Sequence, residues 1–221
     1  MPRTKRLVFP GAAMHIMCRG NNRQKIFNSD GDKSYYKQLM QVLKAENSIE
    51  ILHYCLLDNH VHFIVRLKLE GNLSKFMKQL GLSYFSYYKK NYGYDGHLWQ
   101  GRYKSNIIDT DSYLLQCGKY LELNPVRCGI VDMPEEYAFS SYKSYAEGAQ
   151  DKLITPSPAY MGLADIEDTR RRRYVDFVVD GSIIKHKSPF IGSEAFIKNL
   201  KEYYGIKHGN LKRGRPKKAR K

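Results

Sequence analysis

His60 and His62 stand two residues apart in "LLDNHVHFIV" (56–65), inside a run whose apolar residues mark a β-strand. Side chains alternate across a strand, so both imidazoles share one face while Val61, Phe63 and Val65 take the other. Paired imidazoles on one face suit a divalent cation. A second reactive group is the phenol of Tyr120, within "TDSYLLQCGKYLELN" (110–124), which reads as a helix. Gln116, Tyr120 and Asn124 recur there at four-residue intervals and so form one stripe. Two imidazoles and the Asn124 amide oxygen beside a phenol are the parts that phosphodiester chemistry uses together. A phenol with an ordinary pKa near ~10 is a poor nucleophile at neutral pH. A cation on the phosphate withdraws charge from phosphorus and orients attack, and the tyrosine then takes the phosphate covalently. Singly, each signal is weak. Strand histidines are commonly surface residues, most of 18 tyrosines must pack, and asparagine before proline commonly ends a helix.

The surrounding pattern supplies a scaffold. "AMHIMC" (13–18) reads as a strand, and 32–46 carries Tyr36, Leu39, Met40 and Leu43 at helical spacing. "IEILHYCLL" and "HVHFIVRL" flank the turn "DN" as a hairpin. "NLSKFMKQLGLSYFSYYKK" is an amphipathic helix with Leu73, Phe76, Met77, Leu80, Tyr84 and Tyr88 on one stripe, and "RYKSNIID" is a strand with a basic start. The order β-α-β-β-α-β predicts an α+β, ferredoxin-like antiparallel sheet with two helices on one face. The third helix follows directly and can cross the other face, Thr110 or Asp111 capping it, Pro125 stopping it, and Leu114, Cys117 and Leu121 forming its apolar stripe. Beyond about residue 146, "EGAQDKLITPSPAYMG" has the composition of a linker, with helices expected near 164–179 and 193–204.

Charge narrows the partner. The chain of 221 residues carries +15, and residues 206–221 hold eight Lys or Arg without an acid. The remaining 205 residues keep +7, so the body itself is basic and a nucleic acid is the expected polyanion. No long uncharged apolar run suggests a membrane span. The basic start "MPRTKRLVFPG" lacks the apolar stretch of a secretory signal. Cys18, Cys55, Cys117 and Cys128 form no CxxC pair, so the cytoplasm, at the nucleoid, is the expected location.

"HIMCRGNNRQKIF" (15–27), "LLDNHVHFIV", "GNLSKFMKQL" (71–80), "GHLWQGRYKS" (96–105), "YLELNPVRCGIV" (120–131) and "FSSYKSY" (139–145) together resemble the single-tyrosine HUH transposases. They are most similar to the branch called REP-associated tyrosine transposases, in consistent order over residues 10–146. The resemblance implies that His60 and His62 bind a magnesium or manganese ion and that Tyr120 forms a 5′-phosphotyrosine link with single-stranded or hairpin DNA. It puts Asn124 in the third ligand's place, where better-known relatives carry the longer glutamine. A thiolate-free N/O site suits such a cation. The implied target is the imperfect hairpin of repetitive extragenic palindromes. Arg19, Asn21, Asn22 and Arg23, after the first strand, and Arg102 and Lys104, opening the last, then become DNA contacts. In the tail, Arg213-Gly214-Arg215-Pro216 is similar to an AT-hook, which enters the minor groove of A·T-rich duplex. The division expected is a catalytic domain over 1–146, a helical extension over 147–205 and the basic tail over 206–221. The extension stands where short relatives exchange helices as dimers, so a monomer is expected. The rival reading is a non-catalytic hairpin DNA- or RNA-binding module of the same fold, but the strands lack the paired aromatics of an RNA-recognition platform.

Overall fold

The computed structural model describes residues 11–180 and 190–203. β1 (Ala13–Arg19), β2 (Ile49–Leu57), β3 (His60–Leu67) and β4 (Lys104–Ile108) are antiparallel neighbours in the spatial order β2-β3-β1-β4. With α1 (Asp30–Glu46) and α2 (Leu73–Tyr92) in the crossovers, this is the expected βαββαβ unit. A fifth strand that the sequence pattern did not show, β5 (Phe190–Ile191), pairs in parallel with β4. Two residues are too few for a visible alternation, so only pairing with β4 defines it.

Local chemistry explains the two crossover helices. Ser29 opens α1 with a capping box, its hydroxyl accepting from the Asp32 N–H while the Asp32 carboxylate accepts from the Ser29 N–H. Asn72 caps α2, and Gly93 closes it at φ 61°, a left-handed position that suits glycine. The expected stripe of α2, Leu73 through Tyr88, is buried, and it packs with α1 on Met14, Ile16, Val61, Phe63 and Val65.

The other sheet face is covered by α3 (Asp111–Glu122), whose Leu114, Cys117 and Leu121 pack on Leu52, Cys55, Leu57 and Ile64. Gly118 lets the helix come this close: a Cβ there would lie 2.5 Å from the His53 ring. Pro125 does not end the helical path as the sequence suggested. Glu122 ends α3, and after Leu123 the short α4 (Asn124–Arg127) begins with Pro125 in its first turn, where a missing N–H costs nothing.

α5 (Tyr142–Ala146), α6 (Pro158–Met161), α7 (Glu167–Val179) and α8 (Glu194–Tyr203) follow. The two longer ones match the expected segments. The stretch with linker composition is packed instead. Leu153 is buried, Tyr54 Oη donates to Asp151 at 2.7 Å, and the Thr155 N–H donates to the Ile51 carbonyl. Composition reports backbone freedom and solubility, and it is blind to a loop tied down by its main chain. Tyr145, Tyr160, Tyr174 and Val178 form an aromatic-rich cluster of their own. It meets α3 at the buried Glu122, whose carboxylate accepts from Ser141 Oγ at 2.6 Å and Tyr174 Oη at 2.5 Å and lies 3.1 Å from His53 Nδ1. Three partners satisfy a carboxylate that would otherwise be costly to bury.

Candidate functional site

His60 and His62 lie on the sheet face that α3 crosses. Val61, Phe63 and Val65 are buried beneath α1 and α2, as the alternation required. The antiparallel register sets Met17 across from His62 and Arg19 across from His60. Alternation therefore places His15, Met17 and Arg19 of β1 on the same face as the two histidines. The face is not open. His62 is only 6% exposed because α3 and its neighbours cover it, while His60, at the mouth, is half-buried.

Four rings gather here. The centroids of His60 and His62 are 4.9 Å apart, edge to face, and His15 stacks on His62 at 5.1 Å. The Tyr120 ring stands 6.1 Å from His62 and 6.4 Å from His15. α3 therefore brings its phenol over the strand pair. The Arg127 guanidinium lies over that phenol, 4.7 Å from the ring centroid, carried there by α4.

Hydrogen bonds fix one nitrogen of each imidazole. His60 Nδ1 donates to Asn59 Oδ1 at 2.5 Å, so its Nε2 keeps a lone pair. His62 Nδ1 is 2.8 Å from His15 Nε2. Where His62 is the donor in that pair, its Nε2 is also left with a lone pair. Burial, reinforced by the Arg19 charge, lowers the His60 pKa from 6.5 to about 4. Burial pushes His62 well below its ordinary value too, with His15, His60, Arg19 and Arg127 adding to it. Both rings are then neutral at neutral pH, the form in which imidazole ligates a cation.

These residues fit the divalent ion. Among the described residues no group of three or more His, Cys, Asp or Glu side chains could hold a metal, so a third donor has to be an oxygen of another kind. Asn124 is buried and, among the described residues, its Nδ2 has no hydrogen-bond partner while its Oδ1 lies 3.9 Å from the Cys128 thiol. Gln116 Oε1, one turn before Tyr120, is likewise buried without a hydrogen-bond partner among the described residues. An orphaned buried amide costs ~1–3 kcal/mol, so these two groups are poised for something that arrives. A half-turn of the Asn124 amide exchanges its two ends and offers the oxygen.

The expected DNA contacts divide by location. Arg19 joins the histidines. Asn21, Asn22 and Arg23 form an exposed 3-10 turn, with Asn22 at φ 49° and Arg23 at φ 62°. Arg102 does not open β4 as expected. It lies exposed in the preceding loop, and Lys104 is the strand's first residue. Main-chain bonds knit this loop to the end of β1, Gln100 N–H donating to Arg19 O and Asn21 N–H to Leu98 O, both at 2.8 Å. Arg213 and Arg215 fall outside the described residues. Sequence reasoning assigned nothing to His15, Asn59 or Arg127. Four-residue spacing from Arg19, an even number along a strand, was the signal for His15, yet its meaning depends on the register of β1 against β3. Arg127 sits seven residues after Tyr120, nearly two helical turns and so on about the same side, and beyond the break between α3 and α4 its guanidinium lies over the ring.

The chain also has relatives by comparison. The family described as "Transposase IS200 like" matches residues 9–124, just over half the chain. No curated protein matches the sequence. Among solved structures, the fold is similar to a REP-associated tyrosine transposase bound to a REP hairpin, at 18% identity and a TM-score of 0.57, covering 71% of this chain and 93% of that one. A second similar structure is a transposase-like protein from Deinococcus radiodurans, at 16% identity and a TM-score of 0.39, covering 55% of this chain and 96% of that one. The matched span runs from β1 through the histidine pair to Tyr120 and Asn124, and the chain belongs to the IS200-like transposases.

Proposed function

We propose that this transposase cleaves and rejoins single-stranded or hairpin DNA through a covalent link to Tyr120, with hairpins of repetitive extragenic palindromes as the target class. The observation that carries the proposal is the Tyr120 ring 6.1 Å from His62, with His60 beside it. His60 and His62, with the Asn124 amide, are the residues that would hold magnesium or manganese. When bound, that cation supplies charge neutralisation on the scissile phosphate. The chain's own residues do the rest. Tyr120 Oη attacks phosphorus, a new O–P bond forms, and the bond to the 3′-oxygen breaks and leaves a 3′-hydroxyl. Attack by a 3′-hydroxyl on the phosphotyrosine reverses the step and joins strands. Arg127, over the phenol, supplies positive charge beside the developing phenolate. Arg19, with Lys104 on the neighbouring strand, offers cations to the phosphates on either side.

Incubating the protein with an end-labelled hairpin oligonucleotide and manganese tests this directly. The expected product is a covalent adduct that survives denaturing gel electrophoresis and requires the metal. Tight binding without any adduct would leave a hairpin-binding protein and end the strand-transfer reading.

A further inference from the structure

One imidazole at the site has no part in the strand-transfer chemistry: His15, half-buried on β1. The register of β1 against β3 sets Met17 across from His62, which makes His15 the diagonal neighbour of His62 on the same face, within reach of a ring. His15 Nε2 lies 2.8 Å from His62 Nδ1. The ring planes differ by 24° with centroids 5.1 Å apart. The rings are therefore offset so far that the bonded nitrogens meet along the ring planes, where an imidazole keeps its N–H and its lone pair. His15 is not a third ligand. Its Nε2 is spent on His62, and among the described residues no group of three His, Cys, Asp or Glu side chains could hold a metal.

We propose that His15 is the positioning residue of the metal site: its Nε2 accepts from the His62 Nδ1–H and so aims His62 Nε2 at the cation. The proposal rests on the metal-dependent strand-transfer reading above, since it concerns how one ligand of that site is held. Two neutral imidazoles can share one hydrogen bond in two ways, with His62 donating or with His15 donating. Only the first leaves a lone pair on His62 Nε2. In the second, the His62 lone pair is spent on His15, and its other nitrogen carries a proton and cannot ligate. Ligation therefore requires His15 to be the acceptor, with its own proton on Nδ1. His60 uses the same device with a different partner, its Nδ1 donating to Asn59 Oδ1, a carbonyl oxygen that can only accept. Each histidine ligand thus has an acceptor behind it, one from the turn between β2 and β3 and one from the neighbouring strand. Such an acceptor fixes the orientation of a ligating ring and raises the basicity of its free nitrogen. With His62 only 6% exposed, water is poorly placed to take over the part.

Manganese affinity separates positioning from packing. The full chain is titrated with manganese in the absence of DNA, following the EPR signal of the free ion, and urea unfolding is measured alongside. His15→Phe keeps a flat ring in the same space and removes the acceptor, whereas His15→Gln brings an amide oxygen to the place of Nε2. His15→Phe should weaken manganese binding roughly tenfold to a hundredfold, the range for loss of such a partner, and His15→Gln should recover most of it. Raising manganese by the same factor should restore the covalent adduct to His15→Phe, because Tyr120 and both histidine ligands are still present. A packing role predicts lower stability in both variants at unchanged manganese affinity, and that result overturns the inference. If His15→Phe binds manganese and forms the Tyr120 adduct as the parent does, this inference alone fails. A parent chain that binds no manganese ends the metal site itself and the positioning role with it. Should His15→Phe misfold, long-range proton–nitrogen NMR correlations of the parent's imidazoles with magnesium present still decide. They should place the His62 proton on Nδ1, and a proton on His62 Nε2 overturns the proposal.

Discussion

Tyr120 and the two histidines behave differently as residues, and their replacements should separate chemistry from packing. Tyr120→Phe keeps the ring under Arg127 and beside His62 while removing the only atom that can be phosphorylated. It should abolish the covalent adduct and leave hairpin affinity within a few fold, whereas Tyr113→Phe, the nearest tyrosine on α3, should retain the adduct. An adduct that survives Tyr120→Phe and disappears in Tyr113→Phe reverses the assignment. His60→Ala at the mouth should cost little stability and remove the metal requirement together with activity. His62→Ala empties a buried position and breaks the pair with His15, so a further loss of ~1–3 kcal/mol is expected in denaturant titrations. His60 also sets a pH dependence. Its folded pKa of about 4 lies below the ordinary 6.5. Above 6.5 neither state is protonated there. As pH falls from 6.5 towards 4 the unfolded chain takes up a proton that the folded one refuses, and stability is lost over that window. His60→Gln should flatten the stability slope between those pH values, measured by urea unfolding, and parallel slopes for the two proteins would refute the burial argument.

At the scale of elements, α3 decides whether the site exists, because it alone carries the phenol to the strand pair. Two contacts fix its height and pitch. Gly118 sits against His53 with no room for a methyl, and Glu122 is gripped by Ser141 and Tyr174. Gly118→Ala gains helix propensity on paper, yet the overpacking should dominate and destabilise by ~1–3 kcal/mol. Since the helix must lift to admit the methyl, the single-turnover cleavage rate should fall while hairpin affinity holds. An alanine variant as stable and active as the parent would show that α3 sits looser than this contact implies. Tyr174→Phe removes one of Glu122's donors at constant shape and should lower the unfolding free energy by roughly 1–3 kcal/mol, the cost of a hydrogen bond to a buried charge.

Across the whole molecule, the segment after residue 146 does more than extend the chain. β5 continues the sheet, the 151–155 stretch ties back to β2, and α7 supplies the tyrosine that holds α3. Tyr120, His60 and His62 meet within one chain. The basic tail is a separate matter of charge. We propose that residues 206–221 tether the protein to duplex DNA, with Arg213 and Arg215 in the minor groove. Their deletion should weaken duplex binding and its salt dependence while cleavage at saturating oligonucleotide is unchanged. Arg213→Lys with Arg215→Lys keeps the charge and loses the guanidinium fork, so A·T preference should disappear. If it persists, the tail is only a charged end.

What the order of residues determined by itself is what depends on short-range periodicity. The alternation in "HVHFIV" put two imidazoles on one face and three apolar side chains on the other, and the 3.6-residue stripe of α2 and the apolar side of α3 were equally legible. Those patterns were enough for the βαββαβ order and for the pairing of the histidines with Tyr120. Tertiary structure decided what depends on register, closure and main-chain bonding. His15 meets His62 only because β1 pairs with β3 in one register, since a one-residue slip would send it to the opposite face. Arg127 reaches Tyr120 from α4, a segment that restarts the helical path through a proline that the sequence reads as a stop. The stretch at 147–157 looks like a linker because a composition cannot record where its hydrogen bonds go, neither the one from the Thr155 N–H to Ile51 nor the one Asp151 accepts from Tyr54.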